Sequence, residues 1–217
     1  MSTQEQADHS SAGSSVTWDS NIDTLLAGWC DNAKCFEWMH TEAHSIFDGR
    51  AKRYMITMNC LTALAGLSNI IAGGVSAGAF QISWVFGGIS IFVSTLNVIQ
   101  DKLGYQQASV LHKKSADEWA AIRSKIEEVL TLPYSGRKDC KTFLRYIKAD
   151  INAAALEGNS SIPKEIRVAC YNRFKTIESF EIPEICGKME HTQVFIRNQP
   201  EAQAEAQAEA LQPLLHQ

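Results

Sequence analysis

Between Arg53 and Asp101 the chain carries no charged residue, and no other feature limits its fold as strongly. Two runs fill the interval. The first, YMITMNCLTALAGLSNIIAGG from Tyr54 to about Gly74, matches the roughly 20 apolar and small residues a helix needs to cross a hydrocarbon core about 30 Å thick. The second, ISWVFGGISIFVSTLNVIQ from Ile82 to about Gln100, is slightly shorter and still sufficient. A glycine-rich, uncharged turn joins them. A buried helix of a soluble protein usually keeps a polar side toward something wet, and neither run has a charged face. The mean hydropathy of -0.15 conceals this, because charged flanks average out an apolar middle. The expected fold class is an all-α membrane protein, with a two-helix transmembrane hairpin over 54–100 and long amphipathic cytoplasmic helices before and after it.

Orientation follows from the flanks. Arg50, Lys52 and Arg53 precede the first span, Lys102, Lys113 and Lys114 follow the second, and the turn between has no Lys or Arg. Basic residues stay on the cytoplasmic side, so the chain is expected to be multi-pass with both termini cytoplasmic and the lipid bilayer as its first partner. Tyr54 and Trp84 fall near opposite interfaces, where amphipathic rings are favoured, and Tyr105 follows just past the second span. The first twenty residues lack a basic segment followed by an apolar one, so no cleaved secretory signal is expected there.

Small and polar residues recur within the spans. Thr62, Gly66, Asn69, Gly73 and Ser76 alternate in steps of four and three, and Gly87, Ser90, Ser94 and Asn97 do likewise, so each set draws one stripe along a helix. In lipid such stripes allow close helix packing. The expected use is packing of the two spans against each other; the sharper reading is that copies associate and turn the stripes, with Asn69 and Asn97, toward a water-filled path. The spans hold no Asp, Glu, Lys or Arg, which argues against a proton pump, a voltage sensor or an ion-coupled transporter.

Before the hairpin, Ile22, Leu26, Trp29, Ala33, Phe36, His40, Ala43 and Phe47 mark a narrow apolar stripe on a helix over 19–50, expected to break or kink at Asp48 and Gly49. After it, Ser115, Trp119, Ile122, Ile126 and Val129 repeat the pattern up to Leu132-Pro133-Tyr134-Ser135-Gly136, and the second span is read as running unbroken into this helix. The two stripes bury each other most simply as a cytoplasmic extension of the hairpin. A further helix is predicted from about Lys138 to Leu156 through Phe143, Leu144, Ile147 and Ile151. Another starts with Ser161 as cap and Pro163 in its first turn, with Ile166, Cys170 and Phe174 as its apolar side. The organisation expected is thus a disordered start over 1–18, the helix over 19–50, the hairpin, a cytoplasmic helical region over 101–182, and a low-complexity tail over 183–217.

Little in the chain points to chemistry. A net charge of -4, with scattered Lys and Arg, gives no nucleic-acid surface. Cys30, Cys35, Cys60, Cys140, Cys170 and Cys186 show no C-x-x-C pair or metal spacing and are expected to be reduced thiols. Glu37, His40 and His44 share one helix face, but a di-metal site of the Glu-x-x-His kind needs a second such motif, which is missing. No phosphate loop, dinucleotide fingerprint or nucleophile elbow occurs. No enzyme activity, metal or cofactor is expected.

The order of parts is a Trp-containing amphipathic helix from Trp29 to His44, a basic collar Arg50-Ala51-Lys52-Arg53, a two-span hairpin, a long helix, and a helical tail with Ser161-Ile162-Pro163-Lys164-Glu165-Ile166. It resembles the SLATT family of two-transmembrane effectors over roughly Asp19 to Phe174, and within it the stand-alone members of eukaryotes and large DNA viruses. The resemblance implies a homo-oligomer that forms a pore or perturbs the bilayer, with cytoplasmic helices that sense or transmit a signal. The chain departs from the bacterial arrangement in having no nucleotide-handling domain. The alternative expectation is a structural membrane protein that docks a protein partner through its cytoplasmic helices.

Overall fold

The computed structural model describes residues 16–73, 79–158 and 162–187, with the side chains at 68–86, 100, 101 and 157 outside that description. The chain divides after Gly187 into two units, and the whole second unit, 188–217, which holds nearly all of the low-complexity tail, lies outside the described residues. So do 1–15, for which disorder was expected. Among the described residues there are five α-helices and no strand: α1 Ser20–Gly73, α2 Ala79–Leu103, α3 Tyr105–Thr131, α4 Cys140–Gly158 and α5 Lys164–Phe174. Among the same residues no helix is long and apolar enough to cross a membrane.

Helix α1 begins where Asp19 accepts a hydrogen bond from the Ile22 amide at 2.8 Å, so a side-chain cap satisfies one of the free donors of the first turn. The helix then runs 54 residues without a break, which corrects the interruption expected at Asp48 and Gly49. An interior glycine costs only about 1 kcal/mol against alanine. Local bonds span the position: Lys52 pairs with Asp48 at 2.7 Å, and the Arg53 Nε donates to the Gly49 carbonyl at 3.2 Å.

The break occurs instead between α2 and α3. Gly104 adopts the left-handed conformation with φ 61°, so the expected unbroken run is two helices joined by a single residue. A glycine directly after a basic last turn is a recognised stop signal, and Lys102-Leu103-Gly104 carries it.

Helices α1 and α3 pack along their predicted stripes. Leu26, Ala33, Trp119, Ile122 and Ile126 are buried together, with Ile147 and Ala154 of α4 closing the third side. The Phe36 and Trp119 rings stack 4.7 Å apart. Chain reversal after α3 uses an extended Leu132, Pro133 and one 3-10 turn over Tyr134–Gly136, and Asp139 then caps α4 by accepting the Thr142 amide at 2.8 Å. That exposed carboxyl is held below its ordinary range by hydrogen bonds from Thr142.

A second core lies on the other side of α1, where Cys35, Met39 and Ala43 meet Ile162, Ile166, Cys170 and Cys186. Helix α5 presents Ile166, Cys170 and Phe174 to this core as predicted, although it starts at Lys164 with Pro163 as its cap position and no side-chain cap bond. The start expected from Ser161 is corrected accordingly, and Ser161 itself lies outside the described residues. The base is thus α1 enclosed by α3, α4 and α5, and above it α1 and α2 continue as a two-helix hairpin.

Candidate functional site

In the hairpin, α1 and α2 bury Met58 and Ala65 on one side and Val93 on the other, and the Tyr54 hydroxyl donates to the Leu96 carbonyl at 2.8 Å. The small and polar stripes are elsewhere. Thr62 and Gly66 of α1 and Gly87, Ser90, Ser94 and Asn97 of α2 are all exposed, and a Cβ added at Gly66 or Gly87 would meet nothing within 4 Å. Close approach at glycine therefore does not join α1 to α2 at these positions. Asn69, Gly73, Ser76 and Trp84 lie outside the described side chains.

Around the stripes, Met55, Ile56, Leu64, Leu67, Ile91, Phe92 and Val98 are also exposed. Monomeric soluble proteins seldom leave so much contiguous apolar surface uncovered. The hydroxyls on this part of the chain turn inward to their own helix, Thr57 to the Arg53 carbonyl at 3.0 Å and Thr95 to the Ile91 carbonyl at 2.9 Å. Such bonds satisfy the hydroxyl within its own helix.

Where the hairpin meets the base, a polar layer interrupts the apolar core. His40, Ser109, His112 and Ser115 are buried, the two histidines at 0 % and 1 % exposure. Their Nδ1 atoms lie 2.9 Å apart, so one ring must donate and the other accept. The Phe47 ring stacks on His112 at 5.4 Å, and Gly158 at the end of α4 closes the layer from below. A Cβ there would come within 2.5 Å of the Ser115 hydroxyl. The sequence placed Glu37, His40 and His44 on one face, but the structure gives each a separate partner. Glu37 accepts from Arg123 at 2.7 Å, His40 meets His112, and the His44 Nδ1 lies 3.0 Å from the Ser109 carbonyl. Of the predicted cytoplasmic stripe, Trp119, Ile122 and Ile126 are buried and Trp29, Phe36 and Phe47 half-buried.

Burial, and after it the charge of His44, holds His112 below its ordinary value of 6.5. The neutral ring is favoured in the fold, so the unfolded chain binds more protons as the pH falls through that value. The stability this group contributes is present above about 6.5 and is lost progressively below it. Circular-dichroism melts of the full chain are expected to show a midpoint that declines as the pH drops through this window, and a shallower decline in His112→Gln. Equal slopes in the two proteins would contradict the assignment.

A third grouping was missed in the sequence, because its members are distant along the chain. The Cys170, Cys186 and Cys35 thiols share the second core, and the Cys186 Sγ donates to the Met39 Sδ at 3.7 Å. The neighbouring Cys186 thiol pulls the Cys170 thiol down, but Cys35 and burial outweigh this and push it up to about 12. Cys186 is raised as well, by the Cys170 thiol and by burial. Thiols held neutral in this way are poor nucleophiles. Among the described residues no three His, Cys, Asp or Glu side chains are arranged to hold a metal ion.

Compared with protein-family models, curated proteins and solved structures, the chain matches none of them.

Proposed function

We propose that the chain is an integral membrane protein, inserted through the hairpin with both termini cytoplasmic, which associates with copies of itself to form a pore or perturb the bilayer as an effector of the SLATT type. The observation that carries this reading is the exposure of every described residue of the two stripes, on a hairpin whose own seam is built from Met58, Ala65 and Val93. A charge-free surface with small and polar residues aligned on it has two suitable neighbours, lipid and another such surface. Small residues favour the second, since they let helices approach closely in lipid, and Ser90, Ser94 and Asn97 would then turn toward one another or toward a water path.

The test is conductance of purified full-length protein in planar bilayers. Channel events are expected from the native protein, and they should become rarer or smaller in Ser90→Leu and Asn97→Leu, which fold as the native protein does because both positions are exposed. Silent bilayers from protein that has oligomerised would remove the pore reading. They would favour the scaffold alternative instead, for which Tyr146, Leu156 and Val168 offer exposed apolar side chains on the base.

A further inference from the structure

Where the hairpin leaves the base, an open cavity of about 360 Å³ is lined by Arg50, Arg53, Tyr54 and Met58 of α1, Leu96 of α2 and Tyr105 of α3. Its chemistry is divided. The rim is cationic and the wall apolar. Arg50 lies 5.8 Å from the Phe47 ring and 5.9 Å from the Tyr105 ring, beside the pair that these rings make 6.3 Å apart, and cation–π attraction holds its guanidinium near the rim. Among the described residues Arg53 donates through its Nε to the Gly49 carbonyl.

Neither arginine has an acidic partner among the described residues, whereas their neighbour Lys52 is paired with Asp48. Tyr105 is also the first residue of α3, so the cavity lies where α2 gives way to α3. The Tyr54 hydroxyl is committed to the Leu96 carbonyl and shapes the wall. Two guanidiniums side by side at an apolar wall suit a phosphate. A wall of Met58 and Leu96 suits what is attached to a lipid phosphate and gives nothing to a free one.

We propose that this cavity binds the phosphate of an anionic phospholipid, with Arg50 and Arg53 on the headgroup and Met58 and Leu96 against the start of an acyl chain. The proposal rests on the membrane reading above. Basic pockets between membrane helices at the cytoplasmic level take such headgroups in general, and here Arg50 and Arg53 stand together at the cavity. Occupancy would tie α1, α2 and α3 together at the point where Gly104 separates the last two.

The experiment is a titration of detergent-solubilised full-length protein, read by native mass spectrometry, with short-chain phosphatidylglycerol, short-chain phosphatidylcholine and inorganic phosphate. Preferential binding of phosphatidylglycerol is expected, weakened about tenfold in each of Arg50→Gln and Arg53→Gln, as the loss of one charge-assisted bond implies. Lys52→Gln removes the same charge outside the cavity and is expected to bind as the native protein does. An equal loss in Lys52→Gln would reduce the effect to general attraction and overturn the site. Inorganic phosphate displacing the lipid at equal concentration would overturn the lipid as the ligand. Circular dichroism of each variant separates lost binding from lost folding, and if either arginine variant unfolds, Arg53→Lys takes its place, with intermediate affinity expected because a point charge replaces the fork. Alkaline extraction of native membranes separates the two readings. Protein that stays in the membrane and ignores the arginine substitutions refutes the cavity alone, whereas protein released by alkali refutes the membrane placement.

Discussion

Trp119→Ala is expected to lower the stability of the helical base by about 3–5 kcal/mol, a large share of the roughly 5–15 kcal/mol that holds a typical domain together. Trp119 is 2 % exposed, stacks on Phe36, and belongs to the core that joins α1 to α3 and α4. Its truncation removes the largest side chain of that core and leaves a cavity that rigid neighbouring helices fill poorly. Trp119→Phe should recover most of the loss. The indole N–H has no hydrogen-bond partner among the described residues, so replacement by Phe removes a buried donor whose desolvation is unfavourable by about 1–3 kcal/mol, partly offsetting the lost volume. Denaturant titration of the full chain by circular dichroism measures both. If Trp119→Phe proves as damaging as Trp119→Ala, the indole nitrogen has a partner and the packing argument is incomplete.

Trp119 also marks what the sequence made legible. The alternation that carries Ser115, Trp119, Ile122 and Ile126 is a local property of one helix face, and all four side chains are buried. The same holds for Leu26, Ala33, His40 and Ala43 on α1. What the pattern could not reveal is that α1 is buried on two sides. Cys35 and Met39 sit just beside its stripe, and their partners Cys170 and Cys186 belong to a segment whose own periodicity is weak, so the second core is a long-range fact. The continuity of α1 through Gly49 shows the other limit. A propensity worth about 1 kcal/mol is overridden when helix on both sides is held by tertiary packing. Gly104 reverses that case, since its stop signal was present after Lys102 and was outweighed by the apparent run of the second span into α3.

The candidate site divides in the same way. The stripe of Gly87, Ser90, Ser94 and Asn97 could be read from spacing alone, but which surface it faces depends on α1, and only the packed pair places it outward. His40 was visible as a polar residue on an apolar stripe. Its partner His112 is 72 positions away; it extends the α3 stripe one step before Ser115, but nothing local tells which residue of α1 it meets.

Arg137→Ala is expected to cost about 3 kcal/mol, the lower end of what removing one partner of a buried ion pair costs, because Asp23 remains 30 % exposed while Arg137 is only 4 % exposed. The guanidinium lies 4.9 Å from the Trp18 ring and 4.8 Å from the Tyr134 ring, donates to the Leu132 carbonyl at 2.9 Å and to the Asp23 carboxylate. The Trp18 indole in turn donates to the Lys138 carbonyl at 2.8 Å. These bonds fasten the start of α1 to the turn between α3 and α4, where the Tyr134 hydroxyl also donates to Asp23. Arg123 is the proper comparison. It bonds two carboxylates, Glu37 and Glu127, yet its side chain is 32 % exposed, and exposed pairs contribute about 0–1 kcal/mol. Arg123→Ala should therefore cost less than Arg137→Ala despite breaking more ion pairs, and Arg137→Lys should restore little, since the flat stacking surface and the second donor are lost with the fork. The order of the three midpoints in denaturant titrations decides the matter: burial and stacking set the effect if Arg137→Ala melts first, and the number of charge pairs sets it if Arg123→Ala does.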